Sequence, residues 1–389
     1  MHKRSPLAII FFTVFIDLVG FGIVIPVLPL YAKHFGASPF VIGCLVGVYS
    51  LMQFIFAPIL GKLSDRVGRR PVLLVSILGT AFGFLLMGLA KTLVLLFAAR
   101  IIDGITGGNI STAQAYIADV TTKEERSKGM GLIGAAFGLG FIFGPAIGGV
   151  LSGISLAAPF FFAALLALAN AIALYFLLPE SLPVEKRHPT HVRSSVFDVF
   201  KTNEGRSLII VMATYFFTTA AFSLVTATYS LFTNHRFGYD ARQNGYLFAA
   251  QGVLGALVQG LLLRKLVVFT TDKTLAIAGA LILSAGLFLL PASHSVGILF
   301  AATALLGVGH GCVAAPLNGI ASKKAHIAAQ GRVIGLMQSS ASLARIIGPV
   351  LGGLLLNHDL VTWAEHYGRT PYWAAGILSC IALFLTTLL

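Results

Sequence analysis

The chain has 389 residues, of which 57% are hydrophobic and only 11% are charged. A soluble domain usually carries about 25% charged residues, so this composition excludes an ordinary soluble enzyme or binding domain. The formal net charge of +13 would suit a nucleic-acid partner only if the basic residues were gathered on one soluble surface.

Successive apolar runs predict twelve transmembrane helices, because each run is close to the ~20 residues that a helix needs to cross a bilayer. The runs lie near residues 7–31, 40–60, 72–90, 93–116, 129–152, 156–178, 207–231, 243–263, 274–291, 296–320, 333–356 and 371–389. The first run is too long for a secretory signal and has an acid, Asp17, at its middle, so we count it as helix 1. The sequence therefore predicts an all-α, multi-pass membrane protein.

The distribution of basic residues predicts the orientation of these helices. Of the 27 Lys and Arg residues, the loops on the far side from the N-terminus contain only Lys33, Lys91, Arg236, Arg242 and Arg369. Cytoplasmic loops are enriched in Lys and Arg, so we expect both termini in the cytoplasm. This rule accounts for the net charge, and the sequence predicts a lipid bilayer but no nucleic acid as a partner. The compactness of the chain suggests a bacterial inner membrane.

The longest polar connection divides the chain into two halves. Residues 181–206 contain prolines and basic residues, which indicates a cytoplasmic linker between six-helix halves at 1–180 and 207–389. A repeat supports this division. The segment LFAARIIDGITGG (96–108) matches LFAATALLGVGHG (299–311) at six of thirteen positions, and GLIGAAFGLGFIFGPAIGG (131–149) matches GLMQSSASLARIIGPVLGG (335–353) at eight of nineteen. Six helices separate the copies, so the halves are parallel, as in transporters that rock around a midplane site.

A charged stretch, GKLSDRVGRR at residues 61–70, separates helices 2 and 3 and is called the charged hinge below. Its glycines allow a tight turn and close helix approach, and its charges can form charge-assisted hydrogen bonds where the helices end. A positive-inside anchor alone would explain the arginines but not the acid or the glycines. The residues concerned are Gly61, Asp65, Arg66, Gly68, Arg69 and Arg70. In the second half the loop has become GLLLRKLVVFTTDK (260–273).

Motifs in both halves resemble those of the major facilitator superfamily. They are GKLSDRVGRRPVLL in the charged hinge, LLFAARIIDGITGG in helix 4, GAAFGLGFIFGPAIGG in helix 5, DLVGFGIVIPVLP in helix 1 and AYIADVTTKEERSKGMG after helix 4. The chain is most similar to the drug:proton antiporter branch, which includes the tetracycline exporters, and the similarity is stronger in the first half. The resemblance implies the major facilitator fold, proton coupling, multidrug efflux and antibiotic resistance.

The resemblance also implies a role for the charged hinge as a conformational latch. In this family the acid of the loop, here Asp65, braces the second half near the start of helix 11. The following arginine, here Arg66, pairs with an acid at the cytoplasmic end of helix 4, here Asp119. We therefore expect Asp65, Arg66 and Asp119 to hold an outward-open state rather than to contact substrate.

Five ionisable side chains lie inside predicted helices, where a charge costs about 2.5–3.5 kcal/mol on insertion scales. They are Asp17, Arg100, Asp103, His310 and Arg345. Burial disfavours the charged form of Asp17 and a facing arginine favours it, so alternating access can switch this group between binding and releasing a proton. The tetracycline exporters also have an acid at this position of helix 1. A permanent ion pair between Asp17 and Arg100 is the alternative.

The roles of the other ionisable residues stay open. Asp103 has no counterpart in the helix-4 motif of the family; it either neutralises Arg100 at i, i+3, which we favour, or adds a second titrating site. His310 is a candidate substrate contact, although a single histidine in a glycine-rich helix is more often a hydrogen-bonded packing residue. Arg345 is expected to hold an anionic group of the substrate or to pair with Asp17 or Asp103.

The sequence departs from the tetracycline exporters in helix 3. Those proteins have an acid there, whereas SILGTAFGFLLMG has none, and no acid falls within predicted helices 7 to 12. A neutral, zwitterionic or anionic amphiphile therefore fits the charges better than a magnesium–tetracycline cation. Neutral polar groups suit such ligands, and each is equally suited to joining two helices. The candidates are Tyr49, Gln53, Asn109 and Gln338.

Small residues in helices 5 and 11 predict close helix packing, with bends at matched prolines. These residues are Gly140, Gly144, Pro145, Gly148, Gly348 and Pro349. In the family, the helix-5 motif is associated with export. The sequence contains no metal-ligand cluster, nucleophile elbow or phosphate loop, so we expect neither an enzyme nor a metal or cofactor. We expect a monomeric, proton-coupled exporter of small amphiphiles; a proton symporter or uniporter of a small metabolite, including an anionic one, is the alternative.

Overall fold

The computed structural model describes residues 6–122, 125–183, 185, 204–325 and 330–389. Within these ranges every regular element is a helix, and twelve helices are long and apolar enough to cross a membrane. The prediction of an all-α membrane protein with twelve spans is therefore confirmed. Most of the predicted linker, residues 181–206, lies outside the described ranges.

The helices are numbered α1 to α12 in chain order and correspond to the predicted helices 1 to 12. They are α1 (Pro6–His34), α2 (Pro39–Val67), α3 (Arg69–Gly88), α4 (Leu93–Thr106 and Asn109–Val120), α5 (Arg126–Ser152), α6 (Ala158–Leu177), α7 (Gly205–Phe237), α8 (Ala241–Leu257), α9 (Asp272–Leu289), α10 (Val296–Lys324), α11 (Gln330–Thr362) and α12 (Arg369–Thr387). A π-helical turn and a short α-helical turn extend α8 to Leu266.

The two segments of α4 meet at Gly107 and Gly108, where α2 passes very close. A Cβ atom on Gly107 would stand 2.9 Å from the hydroxyl oxygen of Tyr49, and one on Gly108 would stand 3.0 Å from the Cα atom of Ala57. Glycine is the residue that permits this approach of two helices.

Helix α11 is longer than the predicted helix 11, which ended at residue 356. It continues to Thr362 and includes Asp359, whose side chain is fully buried. One carboxylate oxygen of Asp359 accepts hydrogen bonds from the backbone N–H groups of Gly368 (3.1 Å) and Thr370 (3.0 Å) at the start of α12. Asp272 likewise lies in the first turn of α9. The expectation of no acid within helices 7 to 12 is therefore wrong, because these helices extend beyond the apolar runs from which they were predicted.

The helices cluster into two compact units. Unit 1 consists of Met1–Ala37, Val48–His191 and Tyr239–Ala249, and unit 2 consists of Ser38–Gly47, Val192–Gly238 and Ala250–Leu389. The same pairings recur in both: α1 packs on α5 and α3 on α6 in unit 1, while α7 packs on α11 and α9 on α12 in unit 2. The start of α2 clusters with unit 2, and the start of α8 clusters with unit 1.

Small residues bring the first and fifth helices of each unit together. A Cβ atom on Gly144 of α5 would stand 2.6 Å from the Cα atom of Gly22 on α1. A Cβ atom on Gly348 of α11 would stand 2.7 Å from the carbonyl oxygen of Ala220 on α7. The packing residues predicted for α5 and α11 are all buried: Gly140, Gly144, Pro145, Gly148, Gly348 and Pro349.

Candidate functional site

A buried ion pair occupies the middle of unit 1. Arg100 and Asp103 of α4 are only 2% and 4% exposed, and the Arg100 Nη1 atom lies 2.8 Å from the Asp103 Oδ2 atom. Residues three apart share one helix face, so α4 alone brings the two groups together. The guanidinium carbon of Arg100 lies 4.2 Å from the ring centre of Tyr49 on α2, a cation–π contact. The local Arg100–Asp103 pair favoured from the sequence is present.

Asp17 of α1 faces the same region of unit 1. A cavity of about 10 Å³ is lined by side chains from α1, α2, α3 and α4, namely Asp17, Phe21, Tyr49, Thr80, Phe84 and Asp103. This volume is close to that occupied by about one water molecule. The amide of Asn109 lies beside the Asp17 carboxylate. The ion pair of Arg100 in this structure is with Asp103, and the alternative pair between Asp17 and Arg100 is not formed.

Two of the predicted polar contacts also join helices within unit 1. The Nε2 atom of Gln53 donates hydrogen bonds to the carbonyl oxygen of Gly107 (2.8 Å) and to the hydroxyl of Tyr49 (3.4 Å). Gln53 thereby ties α2 to the break in α4. Asn109 opens the second segment of α4, and its side-chain carbonyl oxygen is buried without a hydrogen-bond partner among the described residues.

In unit 2, His310 contacts an aromatic residue, Phe222, that was not predicted from the sequence. The His310 ring on α10 stacks on Phe222 of α7, with ring centres 3.9 Å apart and planes inclined by 21°. Arg345 of α11 is half-buried and its Nη2 atom donates to the Ser342 hydroxyl at 3.1 Å. Gln338 is exposed. The available signal for Phe222 was the run TYFFTTAAFSLVTATYS (214–230) in helix 7, which mixes polar and aromatic residues.

The charged hinge of unit 1 is built around Arg69. Gly68 has a φ of +106°, a backbone conformation that favours glycine, and Arg69 follows it as the first residue of α3. The Arg69 guanidinium contacts Asp65 at 2.6 Å and Asp119 at 3.1 Å, and it donates to the Ser64 hydroxyl at 2.6 Å. A single buried arginine thus joins the end of α2, the start of α3 and the end of α4.

This arrangement corrects the expected pairing of Arg66 with Asp119. Asp119 pairs with Arg69, whereas Arg66 is exposed on the last turn of α2. Helical side chains point toward the N-terminus of their own helix, so the first side chain of α3 projects back across the turn. Gly61 also differs from expectation: an added Cβ atom would meet nothing within 4 Å, so no close helix approach requires glycine there.

Glu180, beyond the end of α6, completes the charged hinge and was missed by the sequence analysis. Its two carboxylate oxygens accept hydrogen bonds from the backbone N–H groups of Arg69 (2.9 Å) and Arg70 (3.2 Å). These N–H groups have no partner within α3, and an anion is favourable at a helix N-terminus. Ser181 donates to Asp119 at 3.0 Å, and Arg70 lies over the Tyr175 ring at 5.3 Å. The available signal was PES directly after helix 6.

Comparisons with known proteins agree with this architecture. A family model described as Major Facilitator Superfamily matches residues 10–349 and 271–389. The tetracycline resistance protein, class B, of Escherichia coli is 34% identical over 396 residues, covering 99% of this chain and 96% of that protein. Multidrug resistance protein 2 of Bacillus subtilis (strain 168) is 31% identical over 396 residues, covering 99% of this chain and 95% of that protein.

Solved structures share the fold. The human organic anion transporter MFSD10 (TETRAN) superimposes with a TM-score of 0.75 at 24% identity, covering 99% of this chain and 100% of that one. A bacterial homolog of the human lysosomal transporter Spinster, in an inward-facing and occupied conformation, gives 0.79 at 13% identity, covering 99% and 97%. The family model, the relatives and the twelve spans agree on a transporter rather than an enzyme. The chain therefore belongs to the Major Facilitator Superfamily.

Proposed function

We propose that this protein is a proton-coupled exporter of small amphiphilic compounds that works by alternating access in a bacterial inner membrane, with both termini in the cytoplasm. Family membership and the names of the relatives, which include tetracycline and multidrug resistance proteins, support transport of drug-like molecules. The observation that carries proton coupling is the position of the half-buried Asp17 on a small cavity next to the Arg100–Asp103 pair.

Asp17 is the proposed proton carrier. In a cavity that holds about one water, a lone carboxylate is poorly solvated and its neutral form is favoured. When the cavity opens to bulk water, the charged form becomes accessible and the proton leaves. One proton moving down a pH unit yields ~1.36 kcal/mol and one charge moving down 100 mV yields ~2.3 kcal/mol, together enough for a gradient of roughly several hundred-fold.

The proposed substrate is a neutral, zwitterionic or anionic amphiphile. Helix α3 contains no acid that would bind a magnesium–tetracycline cation. In unit 2, the stacked pair of Phe222 and His310 offers an aromatic surface, and Arg345 offers a cation. Arg345 also favours a second candidate function, in which protons accompany an anionic metabolite as a symporter, or the metabolite equilibrates without them through a uniporter.

The charged hinge is proposed as the conformational latch, with Arg69 rather than Arg66 as its central cation. Asp65 is the acid of this segment, and its exposed side chain contacts Arg69 directly. We expect Asp65→Asn to lower transport severalfold while leaving the amount of inserted protein unchanged, because charge-assisted bonds at helix ends stabilise one conformation. Transport and membrane content would be measured on the same vesicles. Full transport by Asp65→Asn would remove Asp65 from the latch.

Purified protein in lipid vesicles with an imposed pH gradient tests the function. The probes are ethidium, tetracycline and fluorescein, compared for wild type, Asp17→Asn and the exposed-acid control Glu365→Gln. An antiporter accumulates its probe in the acidic compartment, and we expect this for wild type and Glu365→Gln but not for Asp17→Asn. Accumulation in the alkaline compartment would indicate a symporter, and equilibration that ignores the gradient would indicate a uniporter.

A further inference from the structure

Three ionisable groups surround the small cavity of unit 1, and their charges do not cancel. Asp17 and Asp103 line the cavity, and Arg100 lies 2.8 Å from Asp103. An arginine keeps its proton in proteins. Two carboxylates and one guanidinium therefore give a charge of minus one, and an uncompensated charge at this depth is costly. The cavity becomes neutral when it holds one proton.

The other side chains of the neighbouring helices do not change this sum. Tyr49 of α2 and Thr80 of α3 line the cavity as neutral hydroxyl groups. Asn170 of α6 donates to the carbonyl oxygen of Thr13 on α1 at 3.0 Å, and α5 has no charged residue from Gly129 to Ser152. Among the described residues of unit 1, the charge of this cavity is thus set by α1 and α4.

Geometry decides which carboxyl group carries the proton. Asp103 accepts a charge-assisted hydrogen bond from Arg100, and such a bond favours its ionised form. Asp17 faces the cavity beside a neutral amide, that of Asn109. The proton therefore resides on Asp17, and the Arg100–Asp103 pair is a neutral unit.

We propose that Asp103 sets the number of protons bound in this cavity: by neutralising Arg100, it leaves Asp17 as the one acid that must be protonated when the cavity is closed. Asp103 is thus a positioning residue that acts through Arg100. This inference rests on the proposed proton-coupled transport. When the cavity opens, the O–H bond of the Asp17 carboxyl group breaks, the proton passes to bulk water, and the carboxylate remains.

The proposal has a counter-intuitive consequence for Asp103→Asn. Without the Asp103 carboxylate, the charges of Arg100 and Asp17 cancel, so Asp17 becomes the counter-ion of Arg100 and stays ionised. Asp17 would lose its proton although it is itself unchanged. Removing both members of the pair, in Arg100→Gln/Asp103→Asn, leaves Asp17 as the lone charge and restores the requirement for a proton.

Infrared difference spectroscopy tests this on the purified protein in detergent at neutral pH, because a protonated carboxyl group has its own C=O band. We expect one buried carboxyl band in wild type that is lost in Asp17→Asn and in Asp103→Asn. The band should return at wild-type amplitude in Arg100→Gln/Asp103→Asn. Arg100→Gln alone leaves two unpaired acids, so its band should be about twice as large. Asp359→Asn, which changes a buried acid of unit 2, is the control and should leave the band unchanged.

A band that persists at full amplitude in Asp103→Asn would overturn the proposal, as would a double variant without the band. The double variant also guards against misfolding, since it replaces a charged pair by neutral residues of similar shape. The measurement needs no substrate. The two proposals can therefore fail independently. If the vesicle assay shows no gradient-driven movement of any probe while the infrared bands follow the expected series, the exporter function is wrong and the role of Asp103 stands.

Discussion

The charged hinge of unit 1 has a counterpart in unit 2 with the charges reversed. In unit 1 the first residue of α3, Arg69, pairs with Asp119 in the last turn of α4 at 3.1 Å. In unit 2 the first residue of α9, Asp272, pairs with Lys323 in the last turn of α10 at 2.6 Å. The same two helix ends are bridged in each unit, but the acid and the base have exchanged helices.

The two bridges differ in burial and in support. Arg69 is 8% exposed and is also held by Asp65 and Ser64, while Glu180 fixes the backbone of its helix turn. The Lys323 side chain is 72% exposed. Exposed ion pairs contribute about 0–1 kcal/mol, whereas breaking a buried one costs about 3–5 kcal/mol. Position in the repeat therefore fixes where a bridge forms, and burial fixes how much it stabilises.

Removing the cation of the buried bridge should have the largest effect. Arg69→Leu leaves Asp119, whose side chain is 22% exposed, without its counter-charge, and we expect a loss of about 3–5 kcal/mol in the free energy of unfolding. The measurement is chemical or thermal unfolding of the purified protein in detergent. Arg66→Leu changes an exposed arginine of the same segment and serves as the control. Equal unfolding of the two variants would contradict the buried role of Arg69.

Replacing the acid that supports the bridge should have an intermediate effect. Glu180→Gln keeps the size of the side chain but has one oxygen, whereas the two oxygens of Glu180 accept hydrogen bonds from the backbone N–H groups of Arg69, Arg70 and Leu182, so at least one N–H group loses its partner. We expect a loss of about 1–3 kcal/mol. The same unfolding assay applies, with the exposed-acid variant Glu125→Gln as the matched control. If Glu180→Gln unfolds like that control, the backbone hydrogen bonds of Glu180 do not stabilise α3.

Exchanging the charges of the exposed bridge should have the smallest effect. Asp272→Lys/Lys323→Asp keeps an ion pair with one member exposed to solvent, so we expect a change within about 1 kcal/mol and unaltered transport. The equivalent exchange in unit 1, Arg69→Asp/Asp119→Arg, would place a new acid beside Asp65 and should remain destabilised. Similar losses of stability in both exchanged variants would show that the two bridges are equivalent after all.

Contacts within one helix were the part of the candidate site that could be predicted. Arg100 and Asp103 are three residues apart, so helix geometry alone places them on one face, and the structure contains the pair. This prediction needed only the periodicity of the α-helix. Asp65 and Arg69 also meet, but they belong to α2 and α3, and their contact was not predicted from the sequence.

Contacts between distant segments were missed or assigned to the wrong residue. Glu180 reaches the start of α3 from 111 residues away, and Asp359 binds backbone groups beyond the end of its own helix. The partner of Asp119 was expected to be Arg66 and is Arg69, because the direction of a helix end, set by the turn at Gly68, decides which side chain turns inward. Spacing in the sequence contains no information on that direction.

The sequence by itself determined the twelve spans, the α-helical class and the repeat, because hydropathy is a sum along the chain and a helix must cross the bilayer with every backbone group hydrogen-bonded. Only the tertiary structure decided which charges are buried together. Arg69 and Lys323 are both basic residues near helix ends, yet one is enclosed by Asp65, Ser64 and Asp119 and the other faces outward. That distinction depends on how neighbouring helix ends pack, since the strength of an ion pair depends on its solvent exposure.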